Sequence, residues 1–171
     1  MKESASTGTL YLVRHGEAAP LGGTVLSDED RPLTPEGERN VAAVARALAR
    51  LDGDVKTILS SPLRRAVQTA EILASARGGA TQVKVTSHLA PGFSRRELLA
   101  EIRALGTGVS IIAVGHQPDL GSLLSHLVSD SKVLSVAIPP GAVLRISSAH
   151  GQGVSSLQWL LSPEALHRLS L

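Results

Sequence analysis

Apolar residues along this chain fall into two rhythms: short unbroken runs, and longer stretches in which they recur every three or four positions. Thr9–Val13, Val55–Leu59, Val83–Thr86 and Val109–Val114 are runs of the first kind and predict strands. Val41, Val44, Ala45 and Leu48 form a stripe of the second kind and predict a core-facing helix from Pro35 to about Leu51. Further helices are predicted from Ser60-Ser61-Pro62 to about Ala76, from Ser94 to about Leu105, and from about Asp119 to Val128. A strand–helix–strand alternation closes parallel pairs through crossover helices. Val133–Ile138, Val143–Ser147 and Ser155–Leu161 predict further strands, partly antiparallel because their connections are too short for crossover helices. Pro163–Leu171 reads as a short amphipathic tail. The pattern as a whole predicts a three-layer α/β/α sandwich with a mostly parallel central sheet. It is one domain over residues 9–171, behind a disordered lead-in at 1–8.

The helix starts carry chemical punctuation. Thr34 is a hydroxyl cap with Pro35 in the first helical position, and Ser60-Ser61-Pro62 repeats that arrangement. Ser94 and Glu97 have the spacing of a capping box. Between the first strand and first helix, Ala18–Thr34 is a long loop interrupted by Pro20, Gly22, Gly23 and Pro32. Loops of this length are usually functional or disordered. Its acids Asp28, Glu29 and Asp30 beside Arg31 read as a solvated surface.

Composition narrows the function classes. Aromatics are only 2% of the 171 residues, so Leu, Val, Ile and Ala must fill the core. A formal charge of +2, no Lys/Arg run, and a single Trp, Tyr and Phe argue against nucleic acid as a partner. With no cysteine, a disulfide framework, a thiolate nucleophile and a Cys-ligated metal are excluded. No apolar stretch approaches the ~20 residues of a membrane span, and residues 1–8 lack the apolar core of a signal peptide. The expectation is a cytoplasmic protein without membrane contact.

Two strands end in the same way. The first runs Leu10-Tyr11-Leu12-Val13 into Arg14-His15-Gly16-Glu17, and the central one ends Val114-Gly115-His116-Gln117. In open α/β sheets the carboxyl ends of strands border the ligand crevice, so His15 and His116 are expected at one sheet edge. Gly16 is expected to let the backbone approach whatever binds there. Arg64 and Arg65 open the second helix, where the dipole disfavours cations. A bound anion reverses that penalty, because the free N–H groups of a helix start and an adjacent guanidinium together cradle phosphate. Arg65 is assigned to that cradle and Arg64 to solvent. An arginine-rich set without matched carboxylates does not suit a metal, and no G-x-S-x-G elbow is present for a serine hydrolase. Paired imidazoles and guanidiniums suit phosphoryl transfer, with one imidazole attacking phosphorus.

Leu12-Val13-Arg14-His15-Gly16-Glu17 resembles the RHG signature of the histidine phosphatase (phosphoglycerate-mutase-like) superfamily. Ser61-Pro62-Leu63-Arg64-Arg65-Ala66-Val67-Gln68-Thr69 resembles its second arginine motif, and Val114-Gly115-His116 its second histidine. The small size and Asp30-Arg31-Pro32-Leu33-Thr34 resemble the SixA-type phosphohistidine phosphatase branch. The resemblance implies a phosphoglycerate-mutase-like fold and a covalent phosphohistidine on His15. Arg14, Arg65 and His116 would hold the phosphoryl oxygens, and Arg31 would add a contact from the first loop. No metal or organic cofactor is implied, and the partner is a phosphohistidine-bearing protein or a small phosphorylated metabolite. The chain departs from larger members at the general acid: His88 and Gln117 stand where they carry carboxylates. Glu17, the nearest carboxylate in sequence, is expected to orient the first motif by hydrogen bonds, while His88 is either a proton donor or a packing residue.

That gap bears on substrate. An alkyl phosphate expels a poor leaving group that needs a placed acid, whereas a ring-protonated phosphohistidine expels neutral imidazole. The leading reading is therefore a phosphohistidine phosphatase. A small-molecule phosphomonoesterase of the same mechanism is the alternative, and a non-catalytic phosphoprotein-binding module is the alternative of another class.

Overall fold

The structure is a computed structural model and describes residues 8–52, 54–129, 134–148 and 155–169. Six strands, β1 (Gly8–Arg14), β2 (Val55–Ser60), β3 (Gln82–Val85), β4 (Ser110–Gly115), β5 (Val143–Ser148) and β6 (Ser156–Leu161), form one sheet in the order β3-β2-β4-β1-β5-β6. The four strands of the amino-terminal two-thirds pair in parallel, while β5 runs antiparallel to β1 and β6 to β5. Helices α1 (Pro35–Leu51), α2 (Arg64–Ser75), α3 (Arg95–Ala104), α4 (Asp119–Val128) and α5 (Pro163–Leu169) flank it. The sandwich expected from the pattern is the one formed.

The period-two alternation of strands separates the two cores. Leu10, Leu12, Ile111 and Ala113 point to one face and meet Leu98 and Ile102 of α3 with Leu120 and Leu124 of α4. Tyr11, Val13, Ile112 and Val114 point to the other and meet Val44 and Leu48 of α1 with Ala70 and Leu73 of α2. Both faces of β1 and β4 are buried, which is why they read as continuous apolar runs.

Three expectations are corrected. Residues 134–138 are not a strand: Ile138 is buried, but this segment is irregular backbone whose carbonyls at Val136 and Ile138 accept from Gln117 and Arg14 (Val133 lies outside the described residues). Gly8 belongs to β1 rather than to the lead-in, whose other residues lie outside the described ones. The α2 helix begins at Arg64 with Leu63 in the capping position and no side-chain cap. The Ser61 hydroxyl accepts from the Leu63 N–H at 3.4 Å, ahead of the helix, and also reaches the site described below. Thr34 does cap α1, its hydroxyl accepting from the Gly37 N–H at 2.9 Å, and Ser94 caps α3 from the Glu97 N–H.

Gly16 has a different reason from the one expected of it. A Cβ there would lie 2.6 Å from a Val41 methyl and 3.1 Å from one of Leu33, so it is the packing of β1's exit against α1 that demands glycine. Gly37 is its counterpart: a Cβ there would lie 2.2 Å from the carbonyl oxygen of Glu17. This close backbone crossing also carries the Thr34 N–H to Glu17 carbonyl bond at 2.9 Å.

Helix propensity alone would make Gly37→Ala stabilising by up to ~1 kcal/mol. The contact with Glu17 reverses the sign. A net loss of about 1–3 kcal/mol, the usual cost of overpacking, is expected in urea unfolding. A neutral or stabilised variant would show that this crossing yields freely.

Candidate active site

Parallel pairing in register sets the centre of the site. Arg14 of β1 lies opposite Gly115 of β4, and the His15 N–H continues the ladder to the Gly115 carbonyl at 3.1 Å. The next residues on the two strands are His15 and His116, and their rings lie 5.0 Å apart between centroids, tilted by 53°. His15 is partly covered and His116 is buried.

Hydrogen bonding assigns the His15 ring. Its Nδ1 lies 2.7 Å from the Gly16 carbonyl, which only accepts, so Nδ1 carries the proton. Nε2 is left with its lone pair and accepts from the Arg65 Nε–H at 3.2 Å. Burial pushes the His15 imidazole down to about 4, and the charges of Arg65, Arg14 and Arg31 push the same way against the Gly16 bond. His116 is pushed down to about 3 by burial, then by His15, Arg65 and Arg14. Both rings are neutral at physiological pH, which keeps His15 Nε2 nucleophilic.

Arg65 is buried at the start of α2, as expected from the dipole argument, while Arg64 is exposed. Its outer edge is held by Asp28: Nη1 donates to the Asp28 carbonyl at 2.5 Å and Nη2 to its carboxylate at 2.9 Å. The same carboxylate accepts from Arg31 Nη1 at 2.9 Å, and these two arginines hold it below the usual carboxylate range. The acidic burst is therefore not merely solvated surface: Asp28 fastens the long loop to α2 and turns the Nε edge of Arg65 toward His15. The loop is also tied by the Arg64 N–H to the Glu29 carbonyl at 3.0 Å and by the Leu33 N–H to Gln68 Oε1 at 2.8 Å.

Arg14 Nη1 donates to the Ile138 carbonyl at 2.8 Å, and its Nε is buried without a partner among the described residues. His116 Nε2 lies 2.7 Å from the Ser61 hydroxyl, and its Nδ1 is likewise buried and unpartnered. In the tautomer in which Ser61 donates to Nε2, Nδ1 bears the proton and is left as a donor without an acceptor. Buried nitrogens left unmatched on Arg14 and His116 are groups that a bound oxyanion would satisfy.

The remaining candidates are placed differently. Arg31 spends its nitrogens on the Ala19 carbonyl at 2.6 Å, on Asp28, and on the Ala18 carbonyl at 3.5 Å, so it clasps its own loop while its charge reaches His15. Glu17 is exposed, and its carboxylate makes no hydrogen bond among the described residues. It orients the first motif through its backbone carbonyl rather than its side chain. His88, in a short 3-10 turn (Ser87–Leu89), is held by Glu101 at 3.0 Å, and Glu101 also takes Lys84 and the Thr86 hydroxyl. Gln117 serves the fold, accepting from the Gly121 N–H at 2.9 Å. Sequence reasoning missed the roles of Asp28, Ser61 and Thr69, whose hydroxyl accepts from the Gly16 N–H at 3.1 Å and donates to the Arg65 carbonyl at 2.7 Å.

Comparison with known proteins bears on the family and the fold. Residues 10–90 match the family model "Histidine phosphatase superfamily (branch 1)". The chain is 30% identical to the phosphohistidine phosphatase SixA of Escherichia coli (strain K12) over 120 residues, 69% of this chain and 73% of that protein. It is 44% identical to an uncharacterized protein of Picosynechococcus sp. over 114 residues, 66% of this chain and 68% of that one. Its fold superposes on the protein histidine phosphatase SixA complexed with tungstate with a TM-score of 0.82 at 25% identity, covering 92% of this chain and 99% of that one. The chain belongs to the histidine phosphatase superfamily. Within it, the fold is that of SixA.

The lowered histidines have a pH signature. Unfolded imidazoles titrate at about 6.5, so between that pH and the folded values near 4 and 3 the unfolded chain binds more protons. Stability is fully present above pH ~6.5 and is lost progressively as pH falls toward those folded values. Ring-nitrogen NMR should show both histidines neutral at pH 5.5, and His116→Gln should flatten the dependence of the urea midpoint on pH. A His15 ring that titrates near 6.5 would contradict the described environment.

Proposed function

We propose that this protein is a phosphatase that removes phosphoryl groups from phosphohistidine on a signalling protein, through a covalent intermediate on His15. The observation that carries the reading is the state of His15: Nδ1–H committed to the Gly16 carbonyl, and Nε2 unprotonated with the Arg65 Nε–H beside it. The Nε2 lone pair attacks phosphorus while the P–N bond to the substrate imidazole breaks, and that bond's electron pair stays on the departing ring. If the ring is protonated at its other nitrogen, it leaves as neutral imidazole. Arg14, Arg65 and His116 hold the phosphoryl oxygens, with the orphan Arg14 Nε–H and His116 Nδ1–H among the donors. Arg31 adds its charge from the loop.

The second step repeats the same leaving-group logic. Because Gly16 keeps the proton on Nδ1, phosphorylated His15 is itself a protonated ring, and water attacking phosphorus expels neutral His15 and dihydrogen phosphate. Neither step calls for a strong acid. This fits a site in which Glu17 faces solvent and His88 is engaged by Glu101. The tungstate, a tetrahedral oxyanion, in the similar SixA structure supports the same kind of pocket here.

The test is a rate comparison without added metal: a phosphohistidine peptide, p-nitrophenyl phosphate and an alkyl phosphate, for wild type, His15→Ala and Arg65→Ala. Without a placed acid the alkyl phosphate should trail the phosphohistidine in kcat/KM by about 10²–10⁴-fold. His15→Ala should form no phosphoenzyme, and Arg65→Ala should lose about 10²–10³-fold in kcat. A faster alkyl phosphate would make the protein a small-molecule phosphomonoesterase with an acid supplied by Glu17 or His88. Binding of phosphohistidine without turnover would make it a phosphoprotein-binding module.

A further inference from the structure

A second concave surface lies outside the catalytic cluster. The facing flanks of α3 and α4 enclose a cleft of about 670 Å³. Its α3 wall carries Arg95, Arg96 and Arg103, and its α4 wall contributes His126, with Phe93 and Leu127 supplying apolar surface. The arginines are exposed, and among the described residues the one side-chain hydrogen bond they make is from Arg95 Nη1 to the Ser122 hydroxyl at 2.6 Å, across the cleft. One carboxylate, Asp119, faces them, and its Oδ2 accepts from the Gly92 N–H at 2.9 Å.

The charge on α3 is sorted by face. Arg95, Leu99 and Arg103 follow one another at four-residue spacing, with Arg96 one position along, so all lie on the flank turned to α4. Glu97 and Glu101 follow the same spacing two residues on and fall on the opposite flank, where Glu101 is engaged by Lys84 and His88. Folding alone does not require this division, because the core uses only Leu98, Leu99 and Ile102 of this helix.

The cleft is also aimed at the catalytic edge. Crossover helices run antiparallel to their strands, so the first turns of α3 and α4 stand at the carboxyl ends of the sheet. There Asp119 follows His116 by three residues, and its bond to Gly92 ties the two helix starts together.

We infer that the α3–α4 cleft is a docking groove for an acidic segment of the phosphorylated protein substrate, flanking the phosphohistidine presented to His15. This rests on the phosphoprotein reading above and adds to it the charge of the substrate's flank. Arginine is suited to the role because its planar fork pairs with carboxylates two bonds at a time. The apolar lining admits an aliphatic or aromatic side chain among the acids.

Two measurements test it. The first is independent of turnover: fluorescence anisotropy of an unphosphorylated, Glu-rich peptide against a Gln-rich peptide of the same length. A flank of about 12 residues suffices, since an extended chain advances ~3.3 Å per residue and α3 has 10 residues. The Glu peptide should bind at low ionic strength, weaken as salt screens the charges, and fail to bind R95E/R96E/R103E, while the Gln peptide binds neither protein. The second uses the same two flanks on a phosphohistidine peptide, with free phosphohistidine as control. The acidic flank should lower KM at least tenfold in wild type, and the triple variant should erase that difference with kcat on free phosphohistidine unchanged.

Equal binding of the two peptides, or an acidic preference that survives in R95E/R96E/R103E, would overturn the docking groove. If the Glu peptide binds in the expected way but no phosphohistidine compound is turned over, the groove stands and the catalytic reading under "Proposed function" falls.

Discussion

Everything at the active site depends on one strand pairing. β1 and β4 are 95 or more residues apart along the chain, yet they run in parallel with Arg14 opposite Gly115, and the ladder extends one bond further through the His15 N–H. A slip of one residue would turn each strand's apolar set to the wrong face. The buried alternation of Leu10, Leu12, Ile111 and Ala113 against Tyr11, Val13, Ile112 and Val114 therefore sets the distance between the two imidazoles.

The electrostatics follow from that placement. Burial disfavours the charged form of both histidines, and their placement 5.0 Å apart among arginines adds to the penalty. The result is a pair of neutral rings in a positive surrounding, one with its unprotonated nitrogen facing Arg65 and one with an unmatched buried nitrogen. Groups outside the reaction keep these side chains in place: Ile138 holds Arg14, Asp28 holds Arg65, and Ser61 holds the neutral His116. Among the described residues Asp28 is the carboxylate that pairs with this set, and it takes the outer edge of Arg65, away from His15. Further along the same sheet edge, the arginine flank of α3 adds positive surface that catalysis does not use. The substrate proposed above, a phosphorylated protein with an acidic flank, would meet both regions.

Much of this was legible in the chain itself. Four parallel strands, two of them ending in histidine, the caps at Thr34 and Ser94, and an arginine at the positive end of α2 all follow from local pattern. Where local pattern misled, the missing information was a partner distant in sequence. Residues 134–138 have the apolar content of a strand, but the carbonyls of Val136 and Ile138 go to the side chains of Gln117 and Arg14 rather than to a neighbouring strand. Gly16 invites a ligand-approach explanation until Val41 is seen against it. Asp28 looks like one acid among several, because nothing local marks it as lying across from Arg65, 37 residues away.

The sequence by itself determined the strand and helix periods, the order of the motifs, and the identity of the imidazoles and guanidiniums that define the superfamily. These are properties of short windows, in which side-chain direction repeats with a fixed period. Only the tertiary structure decided which nitrogen of His15 is free, which edge of Arg65 faces it, and which carboxylate holds that edge. Those are relations among β1, the long loop and α2, and a hydrogen bond has a direction only once both of its ends are in place.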